Sequence, residues 1–217
     1  MTVRLAAIVG ASGRVVGVDR DREMVNAADE LADRMRVSGH TSHQVDDCTA
    51  LSFGNGTFDA CYCERVFQHL ADRGPALAAA EALRILKPGG RVVVADSDWS
   101  TLVINAGNRP LERRVVDQCL KRFPNPTAGR HLEDLLKAAG AAEVHRTSST
   151  MNISATGATA ALLNRAAEDA LSAQELVDWR DGLDRSRLAQ LPYGHLTMTV
   201  VAATKPGASQ SPGHLAS

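Results

Sequence analysis

The sequence predicts an α/β fold, a mostly parallel sheet with helices on both faces, and three observations predict it. Short β-branched runs alternate with helical stretches from Arg14 to about Ala95, the pattern of parallel strands joined by crossover helices. Arg91 to Ala95 (RVVVA) reads as a buried strand. The chain has 217 residues, 44% of them hydrophobic. A chain of that size buries roughly 70% of the surface it exposes when unfolded, so its core needs no disulfide or metal staple.

In chain order, Arg14 to Asp19 (RVVGVD) reads as a strand that stops at an acid. Glu23 to Arg36 repeats apolar residues at Met24, Ala27, Ala28, Leu31, Ala32 and Met35, the spacing of an amphipathic helix. Thr41 to Val45 and Phe58 to Cys63 are the next two strands, and Phe53 to Thr57 between them is a turn cluster centred on Asn-Gly. Ala76 to Leu86 is an alanine- and leucine-rich helix closed by Lys87-Pro88-Gly89-Gly90. Past Asp96 the pattern changes. Leu111 to Phe123 and Leu132 to Ala139 read as helices, the second closed by Gly140, and Glu143 to Ile153 as a strand. Thr159 to about Arg187 is helical in two pieces, the second opened by the capping box Ser172-Ala173-Gln174-Glu175. Leu196 to Ala203 is a last strand. The expected organisation is one domain over 1–204, with about 100–190 on the substrate side as a lid, and a flexible tail over 205–217.

Composition narrows the partners. With 24 basic against 25 acidic residues, and no run of five or six like charges, nothing points to nucleic acid or an anionic membrane. A small-molecule substrate is the expected partner, and the composition does not speak to the oligomeric state. No stretch approaches the ~18 apolar residues that cross a bilayer, and the first ten residues lack the apolar core of a signal peptide, so a cytoplasmic protein is expected. The four cysteines (Cys48, Cys61, Cys63 and Cys119) read as free thiols. Cys61-Tyr62-Cys63 has no second pair at ligand spacing, so no metal is expected.

Three acids stand at strand ends or starts, and in an open α/β sheet that edge is where ligands bind. Asp19 ends the first strand and precedes Arg20, where a carboxylate can accept from the two hydroxyls of a ribose. Asp47 follows the second strand, where it can accept from an exocyclic amine while the next backbone N–H, that of Cys48, serves a ring nitrogen. Asp59, at the start of the third strand, reads as a structural residue holding its turn. Each acid alone would serve as a solvated cap; their common edge is what marks them.

Taken in order, VVGVDRDREMV, VDDCTALSFGNGTFDACYCERVFQHL and ALRILKPGGRVVVADSDW closely resemble the Rossmann-like (class I) S-adenosylmethionine-dependent methyltransferases, in the subgroup that includes the ubiquinone/menaquinone-biosynthesis type. The resemblance runs from about Val3 to Asp98. It implies a Rossmann-like, mostly parallel sheet and S-adenosylmethionine as cofactor, with Asp19 and its neighbour Arg20 at the ribose, Asp47 at the adenine amine and Cys48 at the adenine ring. It places Cys63, Glu64 and Arg65 beside the methionine part. It also implies a first strand and a glycine-rich loop, of the form Asp-x-Gly-x-Gly-x-Gly, just before the helix that contains Arg4 to Val9. These 217 residues lack that segment, and the expectation is a start codon placed too late, with two neighbouring strands deprived of their common partner.

Methyl transfer from a sulfonium is an in-line displacement, so the enzyme mostly holds nucleophile and methyl in contact and excludes water. Where oxygen or carbon is the acceptor, a base near neutral pKa assists, and His69 is the candidate, with Gln68 orienting it. Gln68, Asp98 and Trp99 are expected at the substrate wall, Trp99 as a flat apolar face, and His131 with the helices of Thr159 to Arg187 as a lid. Two other readings stand beside this one. A non-catalytic binding protein of the same descent would differ in its binding of the cofactor. An NAD(P)-dependent short-chain reductase would use Gly10-Ala11-Ser12-Gly13 as its nucleotide loop, but it would need a helix where Val15 to Val18 favour a strand, and no Tyr-x-x-x-Lys follows.

Overall fold

In a computed structural model the described residues are 1–207; the expected tail from residue 208 onward lies outside them. Helix α1 (Thr2–Val9) leads into β1 (Val15–Asp19), α2 (Arg22–Arg34) and β2 (Thr41–Val45). β3 (Phe58–Glu64) passes through a 3-10 turn at Phe67–His69 into α3 (Gly74–Arg84). Then follow β4 (Leu86–Ile104), α4 (Arg109–Leu120), α5 (Ala128–Ala138), β5 (Ala142–Ile153), α6 (Ala158–Ala170), α7 (Ala173–Leu188) and β6 (Gly194–Thr204). The capping box expected at Ser172 forms, and α2 has a side-chain cap that the sequence reading did not name. Asp21 accepts from the Glu23 N–H at 2.8 Å to cap α2, and Ser172 and Glu175 close the capping box of α7 at 2.8 and 3.4 Å.

The strands form two sheets among the described residues. β1 and β2 pair in parallel, with Val15 opposite Thr41 and Asp19 opposite Val45. The second sheet runs β3-β4-β6-β5. β3 and β4 are parallel, whereas β6 is antiparallel to both β4 and β5. The outer edges of β1 and β3 therefore have no strand partner among the described residues, which is the break expected from the sequence. Because Val15–Asp19 is a strand and not the opening of a helix, Gly10 to Gly13 cannot serve as a reductase loop.

Two cores lie along the second sheet. α3 and α5 cover one face, where Val92, Val94, Val201 and Ala203 meet Ala79, Leu83, Leu132 and Leu136. The other core lies where β4 ends and β6 begins, and α4, α6 and α7, the last through Trp179, close over Leu102, Ile104 and Leu196. Burying a leucine or isoleucine side chain contributes ~2 kcal/mol, so each core outweighs any surface ion pair. A hydrogen-bonded chain ties α1 to the small sheet: Thr2 Oγ1 meets His43 Nε2 at 2.8 Å, and His43 Nδ1 meets Asp29 of α2 at 2.7 Å.

The structure corrects four sequence expectations. β4 does not stop near Ala95; it runs on through Asp96, Ser97 and Asp98, all buried, to Ile104. Polarity hid this stretch, because each acid meets its hydrogen-bonding need inside the fold. Lys87 to Gly90 belongs to a bulged start of β4, between Leu86 opposite Phe58 and Arg91 opposite Ala60. Gly89 has φ +78, and a Cβ on Gly90 would sit 2.9 Å from the Lys87 carbonyl oxygen, so that turn needs both glycines. α2 buries Val25 and Ala32, while Met24, Leu31 and Met35 stay exposed, because β1 and β2 meet only its Val25–Ala32 line. His131 lies exposed on α5, which packs along β4 and β6, so it belongs to no lid.

α7 approaches the loop after β4 so closely that a Cβ on Gly182 would lie 1.7 Å from the Ala106 carbonyl oxygen. Gly182→Ala is expected to lower unfolding stability by about 3 kcal/mol, whereas Gly39→Ala, which meets nothing within 4 Å, should stay within about 0.5 kcal/mol. Urea denaturation of the two variants checks this contrast.

Candidate active site at the carboxyl ends of the strands

The sequence candidates gather at the carboxyl ends of β1, β2, β3 and the first half of β4. Asp19, the last residue of β1, is exposed and commits one oxygen to the Asp21 N–H at 3.0 Å. Its other oxygen has no partner among the described residues. The turn after β2 separates two adjacent acids by role. Asp46 accepts from the Asp47 N–H at 2.9 Å, the Ser52 N–H at 3.1 Å, the Ser52 hydroxyl at 2.8 Å and Gln44 Nε2 at 3.2 Å, and it holds the turn. Asp47 uses only Oδ1, which takes the Thr49 N–H at 2.8 Å and its hydroxyl at 2.7 Å. Those two donors hold the Asp47 carboxyl below the usual carboxylate range, and Oδ2 faces no donor among the described residues. Arg20 lies close enough to Asp47, Cys48 and His69 to act on the charge of each, which places the ends of β1 and β2 beside the turn after β3.

Beyond β3 the side chains are more committed. Glu64 accepts from the Tyr62 hydroxyl at 2.9 Å. Arg65 has φ 57, in the left-handed region that a non-glycine residue rarely adopts, and its N–H donates to the Ala95 carbonyl at 2.9 Å. Arg65 Nη2 reaches Met151 Sδ at 3.3 Å, so its side chain crosses toward β5. Burial pushes the thiols of Cys61, to about 11, and of Cys63 upward, and burial followed by the Asp47 charge does the same for Cys48. None of the three is a thiolate nucleophile at neutral pH. Asp59 pairs with Lys87 at 2.7 Å and ties the bulged turn to β3.

The wall expected from Gln68, Asp98 and Trp99 divides. Asp98 is buried against Arg130, whose Nε lies at 2.6 Å, and it also takes the Ser100 N–H and hydroxyl, which leaves it no oxygen for a ligand. Trp99 offers no open face. Its ring stacks on Phe123 at 4.5 Å and its indole N–H donates to Gln68 Oε1 at 2.7 Å. Gln68 is buried and meets the exposed His69 ring at 3.0 Å. Sequence reasoning passed over Asp96, which is fully buried at this edge and takes the Ser97 N–H at 2.7 Å and the Gln68 N–H at 3.1 Å. Its signal was present, an acid ending the run RVVVA.

The strands that carry Asp19, Asp47 and the turn after β3 all fall within one recognisable domain. Residues 1–94 match the family model described as a methyltransferase domain. That match takes in fewer than half of the 217 residues. A Streptomyces fradiae protein described as an uncharacterized 37.1 kDa protein in transposon TN4556 is 38% identical over 142 residues, which cover 63% of this chain and 38% of that one. A ubiquinone/menaquinone biosynthesis C-methyltransferase from Geotalea uraniireducens is 33% identical over 104 residues, 48% of this chain and 43% of that one. The chain spans less than half the length of these curated relatives. The crystal structure of YcgJ from Bacillus subtilis shares the fold, with a TM-score of 0.60 over 95% of this chain and 89% of that chain at 16% identity.

Asp96 gives this edge a pH dependence. Burial pushes its carboxyl up to about 6, against the pull of the Ser97 and Gln68 N–H groups. Folding therefore favours its protonated form, a contribution complete below about pH 4 and lost as pH rises through 6. Between pH 4 and 7 the protein should lose on the order of 3 kcal/mol relative to Asp96→Asn. Urea denaturation of both proteins across that range measures it, and parallel stability curves would contradict it.

Proposed function

We propose that this chain binds S-adenosylmethionine and transfers its methyl group to oxygen or carbon of a small-molecule acceptor. One observation carries the reading: Asp19 and Asp47 stand at the ends of adjacent parallel strands, each with one carboxylate oxygen uncommitted. The methyltransferase family of residues 1–94 supports it.

The residues present fit the adenosine half of the cofactor. Asp19 Oδ2 would accept from the ribose hydroxyls with the Arg20 guanidinium beside it, and Asp47 Oδ2 would accept from the adenine amine. The Cys48 N–H, outside the backbone bonds of its turn, would serve a ring nitrogen. Cys63, Glu64 and Arg65 would flank the methionine part through the main chain where β3 ends. When bound, the cofactor supplies an electrophilic methyl on a positively charged sulfur. This chain's own contribution is then placement and exclusion of water, since an in-line displacement gains most from holding the two reacting atoms in contact. The core of Trp99 and Phe123 seals the inner side, and His69 stands at the exposed rim. No helix among the described residues is long and apolar enough to cross a membrane, and the proposed setting is the cytoplasm.

Calorimetric titration with S-adenosylmethionine tests this. Losing two charge-assisted hydrogen bonds, Asp19→Ala should weaken binding by roughly 2 to 4 kcal/mol. Asp47→Asn keeps shape and one acceptor, and should cost about 1 kcal/mol. An Asp19→Ala protein that binds as tightly as its parent removes the assignment. A parent chain that binds neither S-adenosylmethionine nor S-adenosylhomocysteine favours the non-catalytic reading instead.

A further inference from the structure

The His69 ring is the exposed end of a hydrogen-bond chain whose direction is set at its buried end. The indole N–H of Trp99 can only donate, and it donates to Gln68 Oε1 at 2.7 Å. Gln68 itself cannot shift: its N–H donates to Asp96 Oδ2 at 3.1 Å, and its carbonyl accepts from the Asn125 N–H at 3.1 Å. With the amide oxygen taken by the indole, the amide group that lies 3.0 Å from His69 Nε2 is the NH2. That group only donates, so Nε2 must be the unprotonated nitrogen. In the neutral ring the remaining proton then sits on Nδ1, which has no partner among the described residues. Turning the amide over would set two donors against each other at the indole and strand a buried N–H. The rings of Trp99, Phe123 and His69 lie face to face or tilted at 4.5 and 5.6 Å, which fixes the imidazole plane.

We propose that Gln68 and Trp99 are positioning residues that hold His69 as its Nδ1–H tautomer, so that His69 presents a hydrogen-bond donor to an oxygen of the acceptor and not a base to its proton. Its place in the reaction rests on the methyl-transfer reading above; the tautomer does not. Nε2 can take a proton only by giving up Gln68. Burial and the neighbouring Arg20 charge both oppose a cationic ring. A donor at this position suits an acceptor that arrives already deprotonated, with negative charge on oxygen, such as a phenolate or an enolate. Such a group needs its charge held in place while carbon or oxygen attacks the methyl. A neutral alcohol, which needs a base, is the acceptor class this arrangement disfavours.

Long-range 15N–1H correlation spectra of the imidazoles of the full chain, recorded well above the ring's titration with and without S-adenosylhomocysteine, decide the matter. The expected result is a His69 signal with Nδ1 at the shift of a protonated nitrogen and Nε2 at that of an unprotonated one, the tautomer that free histidine disfavours. Gln68→Glu offers acceptor oxygens to both neighbours and should move the proton to Nε2, and Trp99→Phe should give a mixture. A wild-type His69 protonated on Nε2 overturns the proposal, as does a folded Gln68→Glu protein with the wild-type pattern. Should Gln68→Glu not fold, the wild-type spectrum alone distinguishes the two tautomers. If S-adenosylhomocysteine fails to bind, the methyl-transfer reading falls while the tautomer measurement stands.

Discussion

The antiparallel pairing of β4 with β6 is the constraint on which the rest of the molecule depends. It runs from Arg91 opposite Thr204 to Ile104 opposite Gly194, and both hydrophobic cores are built on its side chains. Between Asp98 and Val103 the ladder breaks: five steps along β4 face two along β6, from Thr197 to His195. The surplus residues bulge out of the sheet and are caught by bonds of their own. The Trp99 N–H donates to the Pro126 carbonyl at 2.8 Å, and Thr101 Oγ1 accepts from the Thr197 N–H at 2.8 Å. A bulge of this kind re-aims a side chain. Here it turns the Trp99 indole onto Gln68, so the geometry at the rim of the site originates in a defect of strand pairing well inside the fold.

The sequence disclosed this architecture unevenly, and the residues say why. That Asp19 and Asp47 stand at strand ends was legible because each follows a short β-branched or alternating run. The start of α7 was legible from its capping box, since Ser172 and Glu175 act within three residues of each other. The second half of β4 was not. Asp96, Ser97 and Asp98 look like the end of a strand, and the burial of the two acids draws on partners far away in sequence, Gln68 and Arg130, as well as on their neighbours Ser97 and Ser100. The same blindness put Trp99 on an open wall. Nothing local reveals that its N–H is claimed by a glutamine 31 residues earlier. The exposed line of Met24, Leu31 and Met35 shows the reverse case, in which a correct periodicity does not say how much of a helix face the fold covers.

Asp96 and Gln68 bind the two halves of this picture together. A fully buried acid is costly unless backbone donors surround it, and the Gln68 N–H is one of those donors. The acid therefore fixes the main chain of the residue whose side chain orients His69. Polar burial of this kind adds little to net stability, but it selects one arrangement among many of similar compactness.

The distance along the chain between β4 and β6 has a consequence for how the molecule is made. Arg91 pairs early with Ala60 of β3 but meets Thr204 on its other side only at the end of the chain, so about half the chain must be synthesised before the strand joining both cores can be zipped along its second edge. Loop-closure entropy of that size makes assembly slow relative to a helical bundle. On the ribosome, β1 to β4 and their helices would emerge and wait, with the unpaired N–H and C=O groups along the second edge of β4 open to water and to neighbouring chains. A premium on rapid completion of the last strand follows from where one strand sits in the chain.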